Sequence, residues 1–121
     1  MIQTETEFHE WLNLQLAEVI PEKVVAFCIN INESPFSIEL IGSNDFDKNS
    51  DDWACNEDWV PQNRSALVSP VIFGESWKEA ENNIFHYSKS FLKSGAENVV
   101  KINAAKRFSI GFVDGDLRYV L

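Results

Sequence analysis

Two helix-start signatures frame this chain. Thr4-Glu5-Thr6-Glu7 and Ser76-Trp77-Lys78-Glu79 each place a hydroxyl three residues before a carboxylate. In a capping box these side chains satisfy backbone N–H groups that the first helical turn leaves unpaired. After the first signature, Phe8, Trp11, Leu12, Leu16, Val19 and Ile20 recur at helical spacing, which predicts a helix over 5–19 stopped by Pro21. After the second, Trp77, Ala80, Ile84, Tyr87 and Phe91 do the same and predict a helix over 77–93, stopped near Gly95.

The segments between and after them carry strand signals. Lys23 to Ile31 (KVVAFCINI) is rich in β-branched and aromatic residues. Asn32-Glu33-Ser34-Pro35 is a turn. Phe36 to Ile41 sets Phe36, Ile38 and Leu40 against Ser37, Glu39 and Ile41, the alternation of a half-buried strand. Arg64 to Phe73 is ambiguous around Pro70 and can hold a short edge strand. Val99 to Ile102 is expected to be extended. Phe108 to Val113, Asp114-Gly115 and Asp116 to Leu121 predict a hairpin. At 121 residues, one domain over 1–121 is expected. The fold class is α+β: a mainly antiparallel sheet of four to five strands with two helices packed on it, in the order α-β-β-loop-α-β-β. Strand order does not follow from these patterns.

Charge is the strongest functional signal. Residues 1–22 carry five acids and no base, and residues 44–58 carry six acids and only Lys48. The first 58 residues hold a net −11, whereas residues 59–121 hold +2. A chain of net charge −9 is repelled by nucleic acid and by anionic lipid, so neither is an expected partner. A basic partner is favoured. No apolar run approaches the roughly 18–20 residues that cross a bilayer. The polar, acidic N-terminus carries no signal-peptide pattern, so a cytoplasmic location is expected, with Cys28 and Cys55 as free thiols.

The segment Gly42 to Pro61 is long for a loop within one domain. Asp45, Asp47, Asn49 and Asp51 alternate as the oxygen ligands of a calcium loop do, but Ser50 stands where that loop needs Gly and Asn56 where it needs Glu. Solvated Asx-turns and a recognition surface for a cationic partner are the other two readings. Trp59, before Val60-Pro61, reads as an anchor to the core. Trp53 can pin the segment to the core as well, and, beside Asp51 and Asp52, it is the better of the two candidates for an interface aromatic. Cys55 could act as a nucleophile with His9 or His86, but no nucleophile turn surrounds it and the neighbouring acids would blunt its thiol. Cys28 reads as a small core residue. Two Cys and two His show no zinc spacing. Lys101, Lys106, Arg107 and Arg118 read as charges on strand edges rather than as a binding face. No catalytic residue, metal or cofactor is expected.

Gly42-Ser43-Asn44-Asp45-Phe46-Asp47 with Asp51-Asp52-Trp53-Ala54-Cys55, and Ile110-Gly111-Phe112-Val113-Asp114-Gly115-Asp116, resemble small acidic bacterial immunity proteins of polymorphic toxin or contact-dependent inhibition systems. The resemblance covers about a fifth of the chain. It implies a non-enzymatic inhibitor that binds a cognate toxin domain, many of which are basic nucleases. On that implication Asp45, Asp47, Asp51, Asp52, Glu57 and Asp58 supply the field and Trp53 the anchor. The acidic first helix, through Glu5, Glu7 and Glu10, is the alternative face. A metal-binding regulatory module and a generic interaction adaptor are the rival functions.

Overall fold

The computed structural model describes residues 1–33, 35–113 and 115–121. Helix α1 (Glu5–Leu16) is followed by strands β1 (Ala26–Glu33) and β2 (Phe36–Ser43), a 3-10 turn at Asp52–Cys55, and strand β3 (Ser65–Leu67). Then come helices α2 (Pro70–Phe73), α3 (Trp77–Leu92) and α4 (Val99–Asn103), and strands β4 (Arg107–Phe112) and β5 (Arg118–Tyr119). The fold is α+β, with the five strands in one sheet in the order β3-β2-β1-β4-β5. Three of the four pairings are antiparallel; β1 and β4 run parallel.

Both capping boxes form. The Glu7 N–H donates to Thr4 Oγ1 at 3.2 Å, and the Glu7 carboxylate accepts from the Gln3 N–H at 3.0 Å. Glu79 repeats the arrangement with Ser76 Oγ (3.2 Å) and the Glu75 N–H (2.6 Å). The first helix ends at Leu16, three residues before the expected limit. Past that point Lys101 Nζ donates to the Leu16 and Glu18 carbonyls, and the Glu18 carboxylate accepts from the Gln62 N–H, so the chain leaves the helix already satisfied.

The largest correction is Val99 to Ile102, expected extended and found in α4. Val99 and Ile102 are buried while Val100 is exposed, a three-residue spacing that suits a helix and not a strand. The Asn98 amide donates to the Asn13 side chain and backbone, which fixes the entry to that turn. Packing thus overrides the extended preference of the valines. Arg64 to Phe73 contains both β3 and the short α2, with Pro70 in its first turn where a missing N–H costs nothing. The first strand begins at Ala26 rather than Lys23, and the last is limited to Arg118–Tyr119 rather than 116–121. Of the two expected turns, Ser34 and Asp114 lie outside the described residues.

The pleat sends alternate side chains to opposite faces of the sheet. Phe27, Ile29, Ile31, Ile38, Leu40, Phe108 and Ile110 pack with Phe8, Leu12, Leu16, Ile84, Phe91 and Ile102 from the helices. Each fully buried side chain of this size contributes roughly 1.5–3 kcal/mol of transfer free energy. The other face carries a smaller cluster, Ala26, Cys28 and Ile41 under Trp53 and Ala54, joined by Phe46, Val60 and Leu117. No helix among the described residues is long and apolar enough to cross a membrane.

Candidate functional site

The acidic segment packs on the second sheet face, over Ala26, Cys28 and Ile41. Gly42 is where it departs: its N–H donates to the Trp59 carbonyl at 2.8 Å, and its carbonyl accepts from the Trp59 N–H at 3.0 Å. A Cβ at Gly42 would stand 2.8 Å from Val24 Cγ1 and 3.1 Å from the Trp59 ring, so glycine is what lets both side chains close over the strand. Ser43 Oγ then accepts from the Asp45 N–H (3.1 Å) and donates to the Asp45 carbonyl (2.8 Å), turning the chain. Asp47 accepts from the Asn49 N–H at 2.8 Å, an Asx-turn, and Asp58 accepts from the Asn44 N–H at 2.7 Å, which ties the two ends of the segment.

Trp53 is not presented to solvent. It is 3% exposed, and its ring packs edge-on to Phe46 with centroids 5.6 Å apart. The expectation of an interface aromatic is corrected: Trp53, like Trp59, anchors the loop. Its indole N–H donates to Tyr119 Oη at 3.2 Å, so the buried polar atom is satisfied. Tyr119 Oη in turn donates to Asp51 Oδ1 at 3.4 Å, and the Leu117 N–H donates to Asp51 Oδ2 at 3.2 Å. Asp51 thereby fastens the loop to the C-terminal segment.

The acidic segment and the C-terminal segment therefore meet in space, through Asp51 and Trp53 on one and Leu117 and Tyr119 on the other. Gly111 serves this junction, since a Cβ there would stand 2.9 Å from the Asp116 carbonyl oxygen. Beside the junction lies an open cavity of about 360 Å³. Asn30 and Glu39 line it from the sheet, Asp51, Asp52, Cys55 and Glu57 from the loop, Phe112 from the end of β4 and Leu117 from the residue before β5.

Of the seven expected binding residues, the structure gathers Asp51, Asp52 and Glu57 at this cavity. Asp45, Asp47 and Asp58 are exposed elsewhere along the same segment, and Trp53 lies beneath it. Glu39 was missed by sequence reasoning. Its signal was present: it occupies the polar phase of an alternating strand, on the face opposite Ile38 and Leu40. Arg64 reaches this group, with Nε 3.2 Å from Glu39 and Nη2 2.5 Å from Glu57. The hydrogen bond from Arg64 holds the Glu57 carboxyl below its usual range, and the two carboxylates push the guanidinium pKa up.

Cys28 is buried under the loop, and burial pushes its thiol up to about 12. Cys55 is exposed on the cavity wall. His9 and His86 lie on α1 and α3, across the sheet from it; His9 Nε2 is 3.1 Å from the Tyr87 carbonyl oxygen. Among the described residues no three His, Cys, Asp or Glu side chains gather as metal ligands. The basic residues expected at strand edges are largely engaged: Lys101 on carbonyls of the first helix, Arg107 over the Phe46 ring, Arg118 over the Phe85 ring.

The arrangement is a rigidly backed acidic surface. It offers carboxylate acceptors and an open cavity with the Cys55 thiol on its wall. Comparison with protein-family profiles, with characterised proteins and with solved structures finds no match.

Proposed function

We propose that this protein is a stoichiometric inhibitor of a basic protein, of the immunity-protein kind, that binds a toxin domain through the acidic surface of residues 44–58 and the adjoining cavity. The observation that carries this reading is the contrast between backing and display. The aromatic side chains of the segment turn inward and hold it in place, while Asp45, Asp47, Asp51, Asp52, Glu57 and Asp58 stay exposed. A fixed display of carboxylates costs less ordering entropy on binding than a mobile one. It also steers a cationic partner and raises the association rate. The acidic first helix is the weaker face, because Glu7 caps the helix and Glu5 lies 3.7 Å from His9.

Co-expression with the product of the adjacent upstream gene tests this reading. Cell rescue and a one-to-one complex are expected. Asp45 and Asp52 make no side-chain hydrogen bond within the described residues, so reversing both to Lys should slow association at least tenfold and flatten its salt dependence. A harmless, non-binding neighbour would overturn the toxin assignment; unchanged kinetics would remove the loop from the interface.

A further inference from the structure

A second cavity, of about 500 Å³, lies on the other side of the β4–β5 connection. It shares Phe112 and Gly115 with the first, so the two are neighbours around one rim. Its walls are Trp77, Phe112, Glu33, Glu81, Asp116 and Arg118. Trp77 is 57% exposed, unlike Trp53 and Trp59. The Trp77 and Phe112 rings meet edge to face, with centroids 6.1 Å apart at 89°. A large aromatic held on one side and left open on the other has the form of an interface hot spot.

The charge around it is unbalanced. Glu33, Glu81 and Asp116 take part in no ion pair among the described residues. Among the described residues of the wall, the cation is Arg118, whose guanidinium is held by uncharged partners: its carbon lies 3.9 Å from the Phe85 ring centroid, and it donates to Asn82 Oδ1, so the wall keeps an excess of negative charge. Three carboxylates around an open indole complement a planar cation. A guanidinium is less strongly hydrated than an ammonium, stacks on an aromatic face and donates to carboxylates in the plane of its fork.

We infer that this cavity receives an arginine side chain of the partner protein, stacked on Trp77 and hydrogen-bonded to Glu81 and Asp116. The inhibitor reading is needed only for who supplies the arginine. Recognition by the cavity itself is testable without any partner. It also moves the aromatic anchor of the interface from Trp53, which is buried, to Trp77.

The test is a titration of the isotope-labelled protein with argininamide, followed by NMR at the Trp77 indole and the Gly115 and Asp116 amides. Saturable shifts at these positions are expected, with lysinamide binding more weakly. Trp77→Ala should weaken the Gly115 response about two- to fivefold. Trp77 is largely exposed, so this variant should fold; Glu81→Gln with Asp116→Asn is a second variant that removes charge without removing volume. Shifts that do not saturate, that spread equally over the loop carboxylates, that survive Trp77→Ala or that are equal for lysinamide would overturn the assignment. Asp45→Lys with Asp52→Lys should leave the argininamide shifts in place. Failure of the cavity and failure of the acidic-loop reading are thus separately visible.

Discussion

The two faces of the sheet are covered by different means. On one, α1 and α3 lay largely apolar stripes over Phe27, Ile29, Ile31, Leu40, Phe108 and Ile110, interrupted by the buried Gln15 of α1 and Ser88 of α3. On the other, an irregular acidic segment pins itself with Trp53, Ala54 and Phe46 and covers only Ala26, Cys28 and Ile41. A helix can bury a face because its backbone is internally satisfied; a loop has to spend side chains such as Ser43, Asp47, Asp51 and Asp58 on backbone partners. The loop therefore closes only part of the face and leaves a cavity beside it, walled on the sheet side by Asn30 and Glu39. Stability is concentrated on one side of the sheet and display on the other.

The strongest way to break this contrast is to empty each core. Phe108→Ala on the helix face should cost about 3–5 kcal/mol in urea unfolding and lower the whole transition. Trp53→Ala removes a larger side chain but should cost less, about 2–3 kcal/mol, because the loop can detach without unfolding the sheet. Hydrogen exchange should then rise in residues 44–58 and stay slow in β1 and β4. Equal costs, with no local exchange, would mean that both faces form one cooperative unit.

A smaller effect is expected where the loop is tied rather than packed. Asp51→Ala leaves the Leu117 N–H without its acceptor and loosens Tyr119 beside Trp53, at about 1–2 kcal/mol. The same loss should appear in Tyr119→Phe combined with Asp51→Ala, with little further cost, since the two act through one chain of hydrogen bonds. Full additivity in that cycle would separate them.

Thiol chemistry distinguishes what the loop covers from what it shows. Cys55 should react with a disulfide reagent in the native protein, and Cys28 only on unfolding. The Cys28 thiol is raised from 9.0 to about 12 by burial, so the folded state keeps a proton that the unfolded chain releases. Its contribution is complete below pH 9.0 and is lost as pH rises towards about 12. Cys28→Ala should remove that alkaline dependence.

Local features of the sequence carried through to the structure better than distant ones. Both capping boxes, most of the helix stripes and the Phe36–Leu40 alternation are set by residues within four positions of each other, and they formed; the departures are Val19, which lies past α1 and is exposed, Trp77, which is largely exposed, and Ile41, which is buried under the loop. The parallel pairing of β1 with β4 joins Ala26 to Arg107 and has no local signature. Trp53 was misread for the same reason. An indole among aspartates suits either an interface or a plug, and what decides is Tyr119, 66 residues away. The tie that Asp51 makes is equally non-local, since its partners, Leu117 and Tyr119, lie 66 and 68 residues on. Trp77 reads in the sequence as the start of the apolar stripe of α3, but it is 57% exposed, and its partner is Phe112, 35 positions on.

The smallest effect should be the most telling, because stability and binding respond to it with opposite signs. Arg64 bridges Glu39 and Glu57 at the rim of the acidic cavity. Both Arg64 and Glu57 are solvent-exposed enough for water and salt to screen the pair, so Arg64→Gln should cost no more than about 0.5–1 kcal/mol. The Glu57 carboxyl lies below its usual range in the folded state, so its share of the stabilisation is present above the unfolded value of 4.5 and disappears as pH falls through the lowered folded value. Wild type and variant should therefore converge on acidification and in high salt. Association with a basic partner should move the other way. Removing the guanidinium frees two carboxylates and deepens the negative potential of the cavity, which should raise the association rate at low salt. A variant that is slightly less stable and yet captures the partner faster would place Glu39 and Glu57 within the binding field. A variant that loses both would make Arg64 a structural clamp and shift the field to Asp45, Asp47 and Asp52.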